Sequence, residues 1–260
     1  MSKRSRRRGP PAAGRASGTA RRDQPSSRAA RAQRGPQPRS GVDPRVIVAG
    51  IAALAIVVAA FVLAGGLGGN ASPTPGPAAS RLTSNCPTSQ PAPLAAGETR
   101  TVTITTPKGS IVVKVHGSWS PIAAGNFVAL ASCGFYNGVV FHRTASLQDG
   151  TPFVIQGGAP NRNGSGGPGY TIADEPVTQT YRRGTVAMAR TQGQADSQGS
   201  QFFIVLDDRD ASVLASANTY AIFGEVTSGM DVADAIYQAS GGQEFPSNPV
   251  PMTTVTVANP

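Results

Sequence analysis

The apolar residues change their pattern three times along the chain. Residues 1–45 are mostly Arg, Ser, Gly, Pro, Ala and Gln, with almost no large apolar side chain. They bury too little surface to offset chain entropy and read as a disordered tail. Val46 to Ala64 then run without one charged or hydrogen-bonding side chain. At 1.5 Å rise per residue, about 20 such residues cross the roughly 30 Å hydrocarbon layer of a bilayer, so a single transmembrane helix is predicted over 46–67. A buried core helix would show a polar stripe, and a cleaved signal peptide has a shorter basic region and a small-residue cleavage site. Gly65-Gly66-Leu67-Gly68-Gly69 offers no such site.

Residues 68–96 are mostly Gly, Ala, Ser, Pro and Thr, a composition that makes an extended tether. Past Gly97 the pattern becomes that of short strands. Thr101–Thr106 and Ser110–Val115 are β-branched runs joined through Pro107-Lys108-Gly109, which predicts a hairpin. Ser120-Pro121 opens a helix whose Ile122, Phe127, Leu130 and Ala131 share a face, with Gly134 as its stop. Further strands are predicted at Val139–His142, Phe153–Gln156, Gly184–Ala189, Phe202–Leu206, Tyr220–Val226 and Thr253–Ala258, and a second helix over Ser228–Gln238. Many short strands with only two helices predict a mainly β domain over 97–260, a closed barrel or a sandwich.

Charge sharpens this division. The whole chain has 23 Lys+Arg and 14 Asp+Glu, a net charge of +9. Residues 1–45 hold 13 of the basic and 2 of the acidic residues (13 − 2 = +11), leaving 10 − 12 = −2 for residues 46–260. The basicity belongs to the tail, so no nucleic acid is expected as a partner of the folded part. Placed before an apolar span, such a tail keeps the N-terminus cytoplasmic by the positive-inside rule. The expected location is therefore the cell membrane, crossed once, with 97–260 on the extracytoplasmic side.

Most familiar chemistries lack their residues. No Lys has the setting of a phosphate-binding Gly-x-x-x-x-Gly-Lys-Ser/Thr loop, and Gly164-x-Gly166-Gly167-x-Gly169 opens no helix. There is no Gly-x-Ser-x-Gly elbow, and His116 and His142 do not form His-Glu-x-x-His. Two Cys and two His are too few for a four-ligand structural zinc site, and no metal is expected. Cys86 and Cys133 fit a disulfide stapling the tether to the barrel in an oxidising compartment. Two unpaired thiols are the alternative, because the sequence does not give their Cα separation.

The blocks Phe141-His142-Arg143, Phe153-Val154-Ile155-Gln156-Gly157-Gly158, Gly164-Ser165-Gly166-Gly167-Pro168-Gly169-Tyr170, Met188-Ala189-Arg190-Thr191, Gly199-Ser200-Gln201-Phe202-Phe203-Ile204 and Tyr220-Ala221-Ile222-Phe223-Gly224 follow in order. In this order and spacing, residues 99–258 resemble the cyclophilin family of peptidyl-prolyl cis-trans isomerases. The resemblance implies a closed eight-stranded antiparallel barrel with two capping helices and a substrate groove on its outer face. It places Arg143 at the family's catalytic arginine, and Phe153, Val154, Gln156, Ala189, Arg190, Gln201, Phe203, Leu214 and Tyr220 along the proline pocket and adjoining groove. The implied substrates are proline-containing polypeptides, with no cofactor, and the expected state is a monomer.

These residue types suit that reaction. Rotation about an X–Pro bond breaks amide resonance at a barrier of roughly 18–20 kcal/mol without making or cutting a covalent bond. A fixed guanidinium that donates to the pyramidal prolyl nitrogen binds the twisted state better than either planar one. By strand alternation Phe141, Phe202 and Phe223 are expected in the core, and His142 is expected to face away from the catalytic position as a structural residue. The sequence departs from the family in a longer Ser146–Thr151 loop, in Arg190 and Tyr220 where many members have Asn and His, and in its single Trp119. That tryptophan lies outside the Val213-Leu214 region where drug-sensitive members carry one, so weak cyclosporin-type binding is expected. Two rival functions stand beside the enzyme: a non-catalytic binding module or chaperone of the same fold, and a tail that binds nucleic acid or an anionic surface with the barrel as passenger.

Overall fold

The computed structural model describes residues 85–258. The tail 1–45, the apolar run 46–67 and the tether up to residue 84 lie outside the described residues. Among the described residues no helix is long and apolar enough to cross a membrane.

The first hairpin forms where its β-branched runs place it. Strands β1 (Thr99–Thr106) and β2 (Gly109–His116) pair in continuous antiparallel register from Thr99↔His116 to Thr106↔Gly109. Their connection is Pro107-Lys108, which fits the fixed φ of proline at a turn. Helix α1 (Pro121–Ser132) has Pro121 in its first turn and ends before Gly134. Its first amides are satisfied from afar, since the Glu175 carboxylate accepts the N–H groups of Ile122 and Ala123, both at 2.8 Å. An acceptor anion at this end also suits the helix dipole.

The remaining elements are β3 (Arg143–Ser146), β4 (Pro152–Gly157), β5 (Thr185–Met188), β6 (Phe202–Val205), a 3₁₀ turn (Asp208–Asp210), α2 (Ala211–Ala217), β7 (Ile222–Ser228), α3 (Met230–Ala239) and β8 (Thr254–Ala258). All eight strands form one antiparallel sheet in the order β3-β4-β6-β5-β7-β2-β1-β8. Three expectations are corrected. Residues 139–142 are not a strand: Val140 makes a lone bridge to Pro251, and β3 begins only at Arg143. A third helix, α2, appears where none was expected. The sheet is a curled half-barrel and not a closed barrel, because its end strands β3 and β8 share no ladder. Their flanking segments meet instead, with Met252 N–H donating to Val139 O at 2.7 Å and Phe141 N–H to Val250 O at 2.9 Å.

Alternation sorts the side chains into two apolar layers. Val102, Ile104, Ile111, Val113, Ile155, Val186, Phe202, Ile204 and Phe223 point inward, where Phe127 and Leu130 of α1 and Ala233 and Ile236 of α3 complete the interior. Phe127 packs at 5.1 Å from Phe202 and 4.8 Å from Phe223, and Phe141 at 6.2 Å from Phe202, so all three expected core rings lie inside. Val154, Ala187, Phe203 and Val205 point outward into a second layer with Leu214 and Val213 of α2.

Cys86 and Cys133 form a disulfide, with Cα atoms 5.1 Å apart and a sequence separation of 47. It ties the start of the described chain to the end of α1. Opening a loop of that length releases the unfolded state from a large constraint, so Cys86→Ser is expected to lower stability by about 2–4 kcal/mol. Urea unfolding of the full-length protein and the variant measures it; equal midpoints would show that the crosslink contributes nothing.

Candidate active site

The outer face of the sheet carries a row of paired residues across four strands. Arg143 of β3 lies opposite Gln156 of β4, Gln156 opposite Phe203 of β6, and Phe203 opposite Ala187 of β5. Directly opposed residues share a face, so all four project to the same side. Beside them β4 carries a register shift: Ala145 pairs with Val154 and Ser146 with Pro152, leaving Phe153 unpaired. This bulge lets the consecutive residues Phe153 and Val154 both join the outer layer, which a regular strand would forbid.

A chain of hydrogen bonds runs along this row. Arg143 donates through Nη1 to Gln156 Oε1 at 3.2 Å, Gln156 Nε2 donates to Gln201 Oε1 at 3.0 Å, and Gln201 Nε2 donates to Gly164 O at 3.0 Å. The chain borders a groove of about 700 Å³. Of the ten expected site residues, Arg143, Gln156, Ala189, Arg190, Gln201 and Tyr220 line that groove. Phe153, Val154, Phe203 and Leu214 lie in the adjoining apolar layer, buried. Tyr220 links the two sets, its ring standing edge-on to Phe203 at 5.4 Å. Arg190 turns its side chain to Asp174 Oδ2 at 2.9 Å and Gln194 O at 2.6 Å, which fixes the loop after β5. Trp119 stacks on His116 with ring centroids 3.9 Å apart.

Two residues differ from expectation. His142 borders the groove, buried beneath the glycine-rich loop, where it was expected to face away. The alternation argument fails because residue 142 precedes β3. Gly164 closes over it with φ +82°, and a Cβ there would stand 2.7 Å from His142 Cδ2. The second is Glu244, from the segment between α3 and β8, which pairs with Arg143 at 2.7 Å. Its separation of 101 residues left no local signal in the sequence.

The family described as cyclophilin type peptidyl-prolyl cis-trans isomerase/CLD matches residues 101–257. The chain belongs to the cyclophilin family. It is 38% identical over 145 residues to a peptidyl-prolyl cis-trans isomerase of Helicobacter pylori, covering 54% of this chain and 82% of that one. It is 35% identical over 178 residues to the probable peptidyl-prolyl cis-trans isomerase A of Mycobacterium leprae, covering 61% and 92%. The crystal structure of a Cryptosporidium parvum cyclophilin type peptidyl-prolyl cis-trans isomerase superposes with a TM-score of 0.55 at 28% identity, covering 63% of this chain and 100% of that one. The same protein in the presence of the dipeptide Ala-Pro gives 0.54 at 28%, covering 62% and 99%. This cyclophilin is accordingly a peptidyl-prolyl cis-trans isomerase, and its groove is the candidate active site.

Burial, and secondarily the neighbouring Arg143 charge, lowers the pKa of His142 from 6.5 to about 4. The histidine is therefore neutral in the folded cyclophilin at physiological pH. With the folded value below the unfolded one, unfolding takes up a proton between them, so its stabilising contribution is complete above pH 6.5 and is lost as pH falls towards 4. Stability is expected to drop by about 2 kcal/mol from pH 7 to pH 5 through this group. Urea midpoints across that range measure the slope, and His142→Gln should flatten it; an unchanged slope in the variant would assign the effect elsewhere.

Proposed function

We propose that this cyclophilin is a membrane-anchored isomerase that assists folding of extracytoplasmic polypeptides at X–Pro bonds, with Arg143 stabilising the twisted amide. The observation that carries the reading is the placement of Arg143: a guanidinium bordering the groove, held in plane by Gln156, next to an apolar layer of Phe153, Phe203 and Leu214. Arginine stays protonated and its rigid fork keeps donors aimed without reorganising during the reaction. The apolar layer backs the pyrrolidine ring. Gln156 and Gln201, already bonded to each other, orient the flanking peptide. The lone pair of the prolyl nitrogen localises only as the amide twists, so a donor aimed at it lowers the barrier without tightening ground-state binding. The dipeptide Ala-Pro accompanying the neighbouring Cryptosporidium structure supports a proline-containing substrate.

Anchoring is supported by the uninterrupted apolar run 46–64 and by the charge step across it. The Cys86–Cys133 disulfide is an independent support, because such bonds persist in oxidising compartments and are rare in the cytosol. In this reading the basic tail lies against the anionic inner leaflet, at about 1 kcal/mol per nearby basic residue.

Arg143→Ala is expected to lower kcat on a short proline peptide by about 10²-fold or more while KM changes little. A variant as active as wild type would defeat the catalytic role and leave a groove that only binds. In intact spheroplasts, protease added from outside should remove the folded domain and spare an epitope placed on the first 40 residues. Protection of both, or of the domain alone, would refute the topology.

A further inference from the structure

Glu244 reaches Arg143 from the irregular segment that follows α3. Its Oε1 accepts the Arg143 Nε–H at 2.8 Å and lies 2.7 Å from Nη2. Gln156 Oε1 takes Nη1 at 3.2 Å on the other edge of the same plane. The guanidinium is thus gripped from two sides, by a charged oxygen and by a neutral one.

The carboxylate is delivered there by backbone. Thr144 N–H donates to the Glu244 carbonyl at 2.8 Å, and Thr144 Oγ1 donates to the Gln243 carbonyl at 2.7 Å. Thr144 is the residue after Arg143, so edge strand β3 presents the guanidinium at one position and anchors its clamp at the next. The segment is braced internally as well, with Gln243 N–H donating to Ser240 O at 3.2 Å and Ser247 N–H to Gln243 Oε1 at 3.3 Å.

Electrostatics gives the contact its direction. The Arg143 side chain is 1% exposed and that of Glu244 is 42% exposed. A guanidinium withdrawn from water is costly without an opposite charge, and Gln156 supplies only a dipole. Without the carboxylate, the buried guanidinium gains by rotating towards solvent. The carboxylate removes that gain, and by engaging two donors it fixes rotation of the plane as well as its position.

We propose that Glu244 is a positioning residue for Arg143, holding the guanidinium plane in the orientation in which it borders the groove. Glu244 acts through Arg143 alone, and its role rests on the catalytic reading of Arg143 given above.

The test uses the full-length protein with Glu244→Gln, Glu244→Ala and Arg143→Ala. Proline-peptide isomerisation gives kcat and KM, and the Arg143 Nε–H resonance, assigned by its loss in Arg143→Ala, reports the order of the group by NMR. Glu244→Ala is expected to lower kcat by about 10- to 100-fold with KM within about twofold of wild type. Glu244→Gln keeps an acceptor without the charge and should fall between. In both, the Nε–H resonance should shift and exchange faster with water. Because glutamine is nearly isosteric, Glu244→Gln decides the matter should the alanine variant fold poorly. Wild-type kcat in the Glu244 variants beside an inactive Arg143→Ala overturns the role of Glu244 and leaves that of Arg143 standing. An active Arg143→Ala defeats both. A fall in kcat with an unmoved resonance marks a merely structural role and also overturns the proposal.

Discussion

The strands at the centre of this sheet are covered on both faces, and the active site depends on that. In β6 all four residues, Phe202 to Val205, are buried, two into the interior and two into the outer layer, and all four residues of β5 are buried likewise. A strand buried on one face only would hold its outer residues against water and leave them free to move. Here the outer layer is buried between the sheet and α2, so the floor of the groove is held by packing as the core is. The aromatic contacts of Phe202 and those of Phe203 stabilise the two sides of one backbone.

Upon this floor the polar groups are held by register. Arg143 and Gln156 face each other because β3 and β4 pair as they do, and a slip of one residue would turn Arg143 to the opposite face. The bulge at Phe153 turns two successive side chains of β4 outward into the layer. The polar chain from Arg143 to Gly164 then spans groups whose positions are set by β3, β4, β6 and the glycine-rich loop.

What was legible in the sequence follows from how far each signal reaches. The β1–β2 hairpin and α1 were readable because Pro107, Pro121 and Gly134 punctuate periodic runs within a few residues. The strands β4 to β7 were readable from β-branched and aromatic runs, with ends displaced by one or two residues. Helix α2 was missed because seven residues, ASVLASA, are too short for a helical period to declare itself. The start of β3 and the open seam were missed because both depend on where residues 250–252 cross the chain near 139–141. Six of the residues bordering the groove were found through ordered motifs, whereas Glu244 belongs to no motif and meets Arg143 only after the sheet has curled.

The disulfide sets how the fold meets a mechanical load. Any pull applied to the chain before residue 86 passes through Cys86 to Cys133 at the end of α1. The segment from 87 to 98 and strand β1 lie beyond that branch point, so the force does not peel them from their neighbours. Helix α1 lies inside the same closed loop, and the load meets only its end, where Phe127 and Leu130 hold it in the interior. The groove lies on the other face of the sheet from that helix.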